Sequence, residues 1–116
     1  MSTDLATTHT LFRAFADETR LRILSLLLEG EICVCDLCSV LDVLQPSISR
    51  HLAYLTRVDL VAVRQKGKWK YYSVRKKPTG LHRTLLNCVR TCLRDFDVLQ
   101  EDLAKLRHLH RDKQCC

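Results

Sequence analysis

The sequence predicts a mainly α-helical fold with one small β-hairpin, a winged helix-turn-helix, that forms a homodimer through its terminal helices. Apolar residues recur at steps of three and four along most of the chain, which is the period of amphipathic helices. A short helical segment, a break and a second helical segment with a polar face follow one another. A glycine turn then separates two segments rich in β-branched and aromatic residues. The 116 residues suffice for a single domain, residues 1–116.

The composition excludes several classes of protein. A hydrophobic fraction of 47% and a charged fraction of 28% are ordinary for a folded chain, which argues against disorder. No apolar run approaches the ~18 residues of a membrane span, and the N-terminus lacks a basic region followed by an apolar one. We therefore expect a cytoplasmic protein without membrane contact, in which all seven cysteines are thiols.

The first elements of the chain are predicted helices. Residues 5–16 carry apolar side chains at helical spacing. Asp17 is suited to cap a second helix with a leucine-rich face, and Gly30 is suited to end it. Residues 36–41 predict a short third helix, which is followed by a break at residues 42–45.

The next helix has a polar face. Pro46 suits its first position, because a missing N–H costs nothing there. Ile48, Leu52 and Leu55 share one face of this helix, which leaves the polar side chains on the other. Together with the short helix before it, this segment predicts a helix-turn-helix over residues 36–56.

A basic hairpin follows. Residues 60–65 and 69–74 are predicted strands around a turn at Lys66 and Gly67, so that residues 60–75 form the wing. Its aromatic side chains favour core packing over a stacking platform for single-stranded nucleic acid. They are Trp69, Tyr71 and Tyr72.

The last third of the chain predicts one long dimerisation helix over residues 80–110, after a linker at residues 76–80. Its apolar stripe is larger than one small domain can cover, so we expect a homodimer whose two-fold axis matches a palindromic DNA site. The stripe consists of Leu81, Leu85, Cys88, Cys92, Phe96, Leu99, Leu103 and Leu106.

Positive charge is concentrated in one part of the chain. The net charge is +6, and residues 45–83 hold ten basic residues and one acidic residue. A solvated basic face is the alternative, but charge on a helix-turn-helix and its wing favours binding of double-stranded operator DNA. The candidate DNA-binding side chains are Gln45, Ser47, Ser49, Arg50, His51, Arg64, Lys66, Lys68 and Lys70.

Three cysteines, Cys33, Cys35 and Cys38, lie within six residues at the start of the helix-turn-helix. On a regular helix Cys33 points away from the other two, so the sulfurs converge only if the chain before Asp36 is irregular. Three thiolates without a fourth ligand suit As(III) or Sb(III), and an ion that gathers them would distort the helix-turn-helix and release the DNA. A thiol-redox switch and a small oxidoreductase that uses Cys35 and Cys38 are the alternatives.

Four segments of the chain resemble the ArsR/SmtB family of metal-responsive winged-helix repressors, and among them the arsenic-responsive members. These segments are residues 15–24, 33–38, 45–52 and 67–72. The resemblance implies a repressor of a metalloid-resistance operon, which is not an enzyme and has no catalytic cofactor. It also implies that Cys33 and Cys35 are the indispensable ligands of the inducer and that Cys38 is the third.

The chain also departs from this family. Its cadmium and lead sensors use further cysteines in an N-terminal arm, and none precedes Cys33, so a Cd(II) or Pb(II) sensor is the runner-up. Two ligand positions of the zinc sensors fall on Asp97 and Arg111, and arginine does not bind Zn(II), which makes a zinc site doubtful despite His108. Asp59 stands where the family often has glycine, so the turn is expected to differ there.

Four cysteines remain. Cys88 and Cys92 favour the role of small side chains in a dimer seam over that of a second thiolate site. Cys115 and Cys116 are either auxiliary ligands of the inducer or adventitious thiols, and the sequence does not distinguish these roles.

Overall fold

The computed structural model describes residues 4–111, and this range contains six helices and three strands. Among these residues, no helix combines the length and apolarity that crossing a bilayer requires. In chain order the elements are α1 (Leu5–Ala14), α2 (Glu18–Leu27), β1 (Ile32–Cys33), α3 (Val34–Leu41), α4 (Gln45–Arg57), β2 (Val61–Lys66), β3 (Trp69–Val74), α5 (Gly80–Cys92) and α6 (Asp97–Arg111). The predicted mainly helical fold with a winged helix-turn-helix is confirmed.

Aspartate side chains fix the starts of the first two helices. The Asp4 carboxylate accepts a hydrogen bond from the Thr7 N–H at 2.8 Å. The predicted cap at Asp17 is confirmed, because its carboxylate accepts a hydrogen bond from the Arg20 N–H at 3.0 Å. Helix α4 begins at Gln45, so Pro46 lies in the first turn but one position later than predicted.

The wing belongs to a three-stranded antiparallel sheet with the order β1-β3-β2. Strand β1 has only two residues, and Cys33 pairs with Tyr71 of β3. The hairpin turn consists of Gly67 and Lys68, one residue later than predicted, because β2 extends to Lys66. Gly67 has a φ of 62°, a left-handed conformation that glycine adopts without strain.

The core lies between α2, α3, α4 and the base of the sheet. The predicted apolar face of α4 is confirmed, because Ile48, Leu52 and Leu55 are completely buried. Apolar side chains from α2, α3, α6 and the sheet complete this cluster. Helices α3 and α4 pack directly against each other and form the helix-turn-helix.

The prediction of one long terminal helix is wrong. Residues 93–96 separate α5 from α6, and α6 folds back to pack against α2 and α3. Leu99, Leu103 and Leu106 are therefore buried within the same chain instead of forming a seam with a second one. This packing buries the α6 part of the predicted apolar stripe. Only the α5 part of the stripe and Phe96 remain on the surface.

A buried ion pair holds α6 against α2. Asp102 is 1% exposed and accepts two hydrogen bonds from the Arg22 guanidinium, each at 2.9 Å. This hydrogen-bonded carboxylate raises the pKa of Arg22, against the opposing effect of burial. The pair satisfies a charge that would otherwise be left uncompensated in the core.

Asp59, in the turn between α4 and β2, has a φ of 65°. We expected the turn to differ here, because aspartate tolerates the left-handed conformation less well than glycine. This expectation is wrong, because Asp59 adopts the left-handed conformation. Aspartate is among the few non-glycine residues that adopt this conformation with some frequency. Its carboxylate accepts a hydrogen bond from Arg75 at 3.1 Å.

Candidate functional site

The cysteine segment lies where β1 passes into α3. Cys33 is the last residue of β1 and the N-cap of α3, with an extended backbone at φ −70° and ψ 145°. Helix α3 begins at Val34, two residues before the predicted start at Asp36. Convergence of the sulfurs was expected to require an irregular chain at the start of this segment, and Cys33 does lie outside the helix. Its Sγ is 3.6 Å from the Sγ of Cys35.

Cys38 lies one turn further along α3. It is half-buried and carries a free thiol. Burial raises the pKa of the Cys38 thiol, and the neighbouring Cys33 sulfur adds to this effect. Within residues 4–111 no three His, Cys, Asp or Glu side chains are arranged so that they could hold a metal ion.

The oxidation state of Cys35 differs from the sequence-based expectation. Cys35 forms a disulfide in the structure, so the expectation that all seven cysteines are thiols is wrong at this residue. Cys38, Cys88 and Cys92 carry free thiols. The candidate auxiliary ligands at positions 115 and 116 lie outside the described residues.

The C-terminal part of α6 lies beside the start of α3. Asp36 is 8% exposed, and burial raises the pKa of its carboxyl, while the charge of His110 opposes this rise. Leu109 packs on the same core cluster as Cys38. The C-terminal part of α6 thus packs beside the start of α3.

Helix α4 carries five of the nine predicted DNA-binding side chains. Gln45, Ser49 and Arg50 are exposed, and Ser47 is half-buried. His51 differs from these, because its Nδ1 lies 3.2 Å from Arg20 and 4.0 Å from the Asp17 carboxylate. The structure therefore directs His51 towards the start of α2 and away from the exposed face.

Tyr54, which lies outside the predicted apolar face of α4, anchors this helix, a role that its place in the sequence does not indicate. Its hydroxyl donates a hydrogen bond to the Thr10 carbonyl of α1 at 3.0 Å. The guanidinium groups of Arg20 and Arg57 lie over its ring, 4.5 and 4.9 Å from the centroid. The contact with Arg20 of α2 and the hydrogen bond to α1 join α4 to the first two helices, whereas Arg57 lies in α4 itself.

Arg64 connects the wing to the cysteine segment. Its guanidinium donates two hydrogen bonds to the Glu31 carboxylate at 2.8 and 3.0 Å, and it lies over the ring of Tyr71. The hydrogen bond from Arg64 is the main cause that lowers the pKa of Glu31, and the charge of Lys76 adds to it. The other predicted wing residues are exposed; they are Lys66, Lys68 and Lys70.

The residues that resemble a zinc site are not brought together within one chain. Asp97 is the first residue of α6, and His108 lies near the other end of this helix; both are exposed. From Asp97 to His108 the helix rises about 16 Å.

Comparison with known proteins gives consistent results. Residues 17–63 match the model of the family described as bacterial regulatory protein, arsR family. The "Arsenical resistance operon repressor" of Escherichia coli is 59% identical over 63 residues, which cover 53% of this chain and 54% of that protein. The chain thus spans about half the length of that relative.

Two further matches extend over almost the whole chain. The "Arsenic resistance transcriptional regulator ArsR2" of Pseudomonas putida is 33% identical over 112 residues, which cover 91% of this chain and 95% of that one. The solved structure of HlyU from Vibrio cholerae is 30% identical, covers 96% of each chain and superposes with a TM-score of 0.59.

Proposed function

The chain belongs to the arsR family of bacterial regulatory proteins, and we propose that it represses a metalloid-resistance operon by binding its operator as a homodimer. Members of this family are transcriptional regulators and not enzymes, so the oxidoreductase alternative is set aside. The exposed polar face of α4 and the basic wing support the DNA-binding part of the proposal. Arg50 on α4 and Lys68 at the wing tip then contact the phosphates and base edges of a duplex.

The proposed inducer is As(III) or Sb(III), bound by Cys33, Cys35 and Cys38. The main support for this site is the position of Cys33 outside α3, which places its sulfur 3.6 Å from the sulfur of Cys35. Two neighbouring sulfurs and a third within one helical turn fit an ion that takes three thiolates. The site requires Cys35 in its thiol form.

The proposed release of DNA follows from what this segment contacts. An ion held by all three sulfurs constrains the first turn of α3, where Cys35 and Cys38 lie, and α3 packs against α4. Cys33 pairs with Tyr71 in β3, so the same segment also touches the wing. A ligand that binds the rearranged segment better shifts the protein away from its DNA-binding form.

Fluorescence anisotropy of a labelled duplex, selected for binding to the reduced protein, tests this proposal. We expect arsenite to release the wild type, and Cys33→Ser or Cys35→Ser to raise the required dose at least ~10-fold, because one of three As–S bonds is lost. The variant Cys88→Ser/Cys92→Ser is the matched control and keeps the wild-type dose. Release of Cys33→Ser and Cys35→Ser at the wild-type dose would contradict the proposal.

A thiol-redox switch is the second candidate, because closely spaced sulfurs such as those of Cys33 and Cys35 oxidise as well as bind a metalloid. In this case peroxide releases the DNA while arsenite does not. Cys115 and Cys116 stay proposed auxiliary ligands, and Cys115→Ser/Cys116→Ser measures their share in the arsenite dose.

The homodimer is proposed on the remaining exposed apolar surface. Leu81, Phe96 and Val98 are 36%, 61% and 45% exposed, and Phe12 of α1 is 47% exposed. Sedimentation equilibrium tests this, with a dimer expected for the wild type and a loss of affinity between protomers in Leu81→Lys. A monomer that still binds a palindromic duplex cooperatively would argue against it.

A further inference from the structure

A cleft with a basic lining lies at the base of the wing. Its volume is about 660 Å³, and it is lined by the end of α2, the end of β3 and one face of α5. Clefts of roughly 300–1,000 Å³ hold small-molecule ligands. The cationic side chains that line it define the basic cleft, and they are Arg75, Lys76, Lys77, Arg83 and Arg90.

Two carboxylates also line the basic cleft, and both are already neutralised by other arginines. Glu31 accepts two hydrogen bonds from Arg64. Glu29 forms ion pairs with Arg94 and Arg107, each at 3.6 Å. None of these three arginines belongs to the lining, so the two carboxylates do not compensate the cations inside the cleft.

One of the five cations has a partner of its own. Arg75 donates a hydrogen bond to Asp59. Lys76 acts on Glu31 through its charge, but both oxygens of that carboxylate are bonded to Arg64. Among the residues that the structure describes, four cations of the cleft form no ion pair with a carboxylate, and they are Lys76, Lys77, Arg83 and Arg90.

The basic cleft lies far from the proposed DNA contacts. Strand β3 extends about 17 Å from Trp69 near the wing tip to Val74, which lines the cleft. On the other side, Arg75 is bonded to Asp59, which follows the end of α4, whereas the exposed polar residues of α4 begin at Gln45. The cleft therefore adjoins the ends of the wing and of α4 that are remote from the proposed contacts with a duplex.

The proposed homodimer leaves the basic cleft open. Helix α5 turns ~100° per residue, so Leu81, which belongs to the proposed dimer surface, lies about 160° around the helix from Arg83. Arg83, Asn87 and Arg90 follow one another at steps of four and three, and all three line the cleft. A ligand in the cleft and a second copy of the chain therefore use opposite faces of α5.

The chemistry of the lining points to phosphate groups. Guanidinium groups donate paired hydrogen bonds to phosphate oxygens, and lysine ammonium groups bind them as point charges. The side-chain amide of Asn87 offers two further N–H donors. Two phosphate groups carry roughly three negative charges at neutral pH, which suits four unpaired cations better than the single charge of a carboxylate does.

We propose that the basic cleft binds a small oligophosphate, with Lys76, Lys77, Arg83 and Arg90 as its ligands. Inorganic pyrophosphate and nucleoside diphosphates share this chemistry. The bound oligophosphate joins the base of the wing to α5. The proposal goes beyond the repressor function and depends neither on the cysteines nor on DNA.

Isothermal titration calorimetry of the reduced full chain with pyrophosphate, adenosine diphosphate and orthophosphate tests this. We expect one pyrophosphate per chain, and at least ~10-fold weaker binding by Arg83→Gln/Arg90→Gln, because two charged donors are lost. Both arginines are exposed and have no ion pair to lose, so the fold is kept, which circular dichroism checks.

The matched control removes the same charge at the wing tip. Lys66→Gln/Lys68→Gln should bind pyrophosphate within ~2-fold of the wild type, because the wing tip is farther from the cleft than the screening length of about 8 Å at 0.15 M salt. Its affinity for a DNA duplex, measured by anisotropy, should fall instead. Equal losses of pyrophosphate binding in the two double variants would overturn the proposal.

A second variant tests the loop that leads into α5. Lys77 has a φ of 55°, a conformation that asparagine adopts more readily than most residues. Lys77→Asn therefore removes the charge without adding backbone strain, and we expect at least ~3-fold weaker binding of pyrophosphate. Unchanged binding by this variant and by Arg83→Gln/Arg90→Gln would place the anion elsewhere and overturn the proposal.

The three probes distinguish the sources of the phosphate. Tighter binding of adenosine diphosphate than of pyrophosphate assigns the cleft to nucleotides, and the reverse order assigns it to pyrophosphate. Orthophosphate that binds as tightly as either, or no binding of the two oligophosphates, overturns the proposal. The same holds if Arg83→Gln/Arg90→Gln loses only DNA affinity, because the cleft then belongs to the DNA-binding surface. Calorimetry uses no DNA, so its outcome is independent of the proposed repressor function.

Discussion

Two groups of cysteines differ in what surrounds them. Cys33, Cys35 and Cys38 lie at a junction of strand and helix that contacts the wing, the recognition helix α4 and the last helix. Cys88 and Cys92 lie on the exposed face of α5. The two groups therefore differ in their neighbours, because the first group adjoins the two elements that are proposed to bind DNA, α4 and the wing.

The largest expected effect is on stability and concerns α6, which packs against α2 and α3. Asp102→Ala removes the partner of Arg22 and leaves a partly buried charge uncompensated, so the free energy of unfolding should fall by about 3 kcal/mol or more. Urea denaturation measures this. Glu29→Ala, which removes exposed ion pairs with Arg94 and Arg107, should cost less than about 1 kcal/mol. Equal losses would show that α6 is not held by the buried pair.

The next effect distinguishes arsenite from divalent ions at the first group. Because burial raises the pKa of Cys38, this thiol is protonated at neutral pH. A divalent ion must displace that proton, so Cd(II) affinity should rise up to about tenfold per pH unit for this thiol as the pH increases towards its pKa. Arsenite releases water instead, and its affinity should stay constant between pH 6 and 8.

Competition titrations at several pH values measure both affinities on the reduced protein. The variant Cys38→Ser is the control, because it should lose this part of the pH dependence of Cd(II) binding. An arsenite affinity that rises with pH as steeply as that of Cd(II) would contradict this assignment of the protons.

A smaller effect tests the connection between the cysteine segment and the wing. Lys68→Gln should lower the salt dependence of DNA binding by about one phosphate contact, a change of about 0.9 in the slope of log K against log salt. Arg64→Gln should leave the slope nearly unchanged, because its guanidinium is already paired with Glu31. Anisotropy at several salt concentrations measures the slopes, and a larger change for Arg64→Gln would refute the pairing.

The same variant has a second readout at Glu31. Loss of the Arg64 hydrogen bond should raise the pKa of Glu31 back towards its usual value, which a carboxyl titration by NMR detects. The sign follows from the lowered pKa. The ion pair contributes above the unfolded pKa of Glu31 and is lost as the pH falls through its folded value.

The smallest expected effect lies beside the second group. Thr91→Ala removes a hydroxyl near Cys92 from an exposed helix position, so the free energy of unfolding should change by no more than about 0.5 kcal/mol. DNA affinity should not change at all. A measurable loss of DNA binding would show that α5 is connected to the DNA-binding surface after all.

Local signals predicted the helix-turn-helix and its wing. Asp17, Ile48, Leu52, Leu55 and Gly67 each act where the sequence placed them or within one residue of that place, because capping, helical period and turn chemistry depend on neighbours in the chain. These short-range rules also located the cysteine segment.

The remaining features depend on contacts between distant residues. Strand β1 is too short for any periodicity, and its existence depends on pairing with β3. The apolar period continues through residues 93–96, so the sequence does not indicate the break between α5 and α6. The break allows Leu103 of α6 to pack into the core of the same chain. Residue type and position predict DNA contacts for His51 and Arg64, whereas their partners Asp17 and Glu31 follow only from the fold.

The small size of β1 has a consequence for the free-energy cost of a response. A strand of two residues contributes few hydrogen bonds, so detaching it costs far less free energy than unfolding the domain. A ligand that displaces this segment from the sheet therefore breaks only the short pairing of β1 with β3, while the longer pairing of β2 with β3 stays in place.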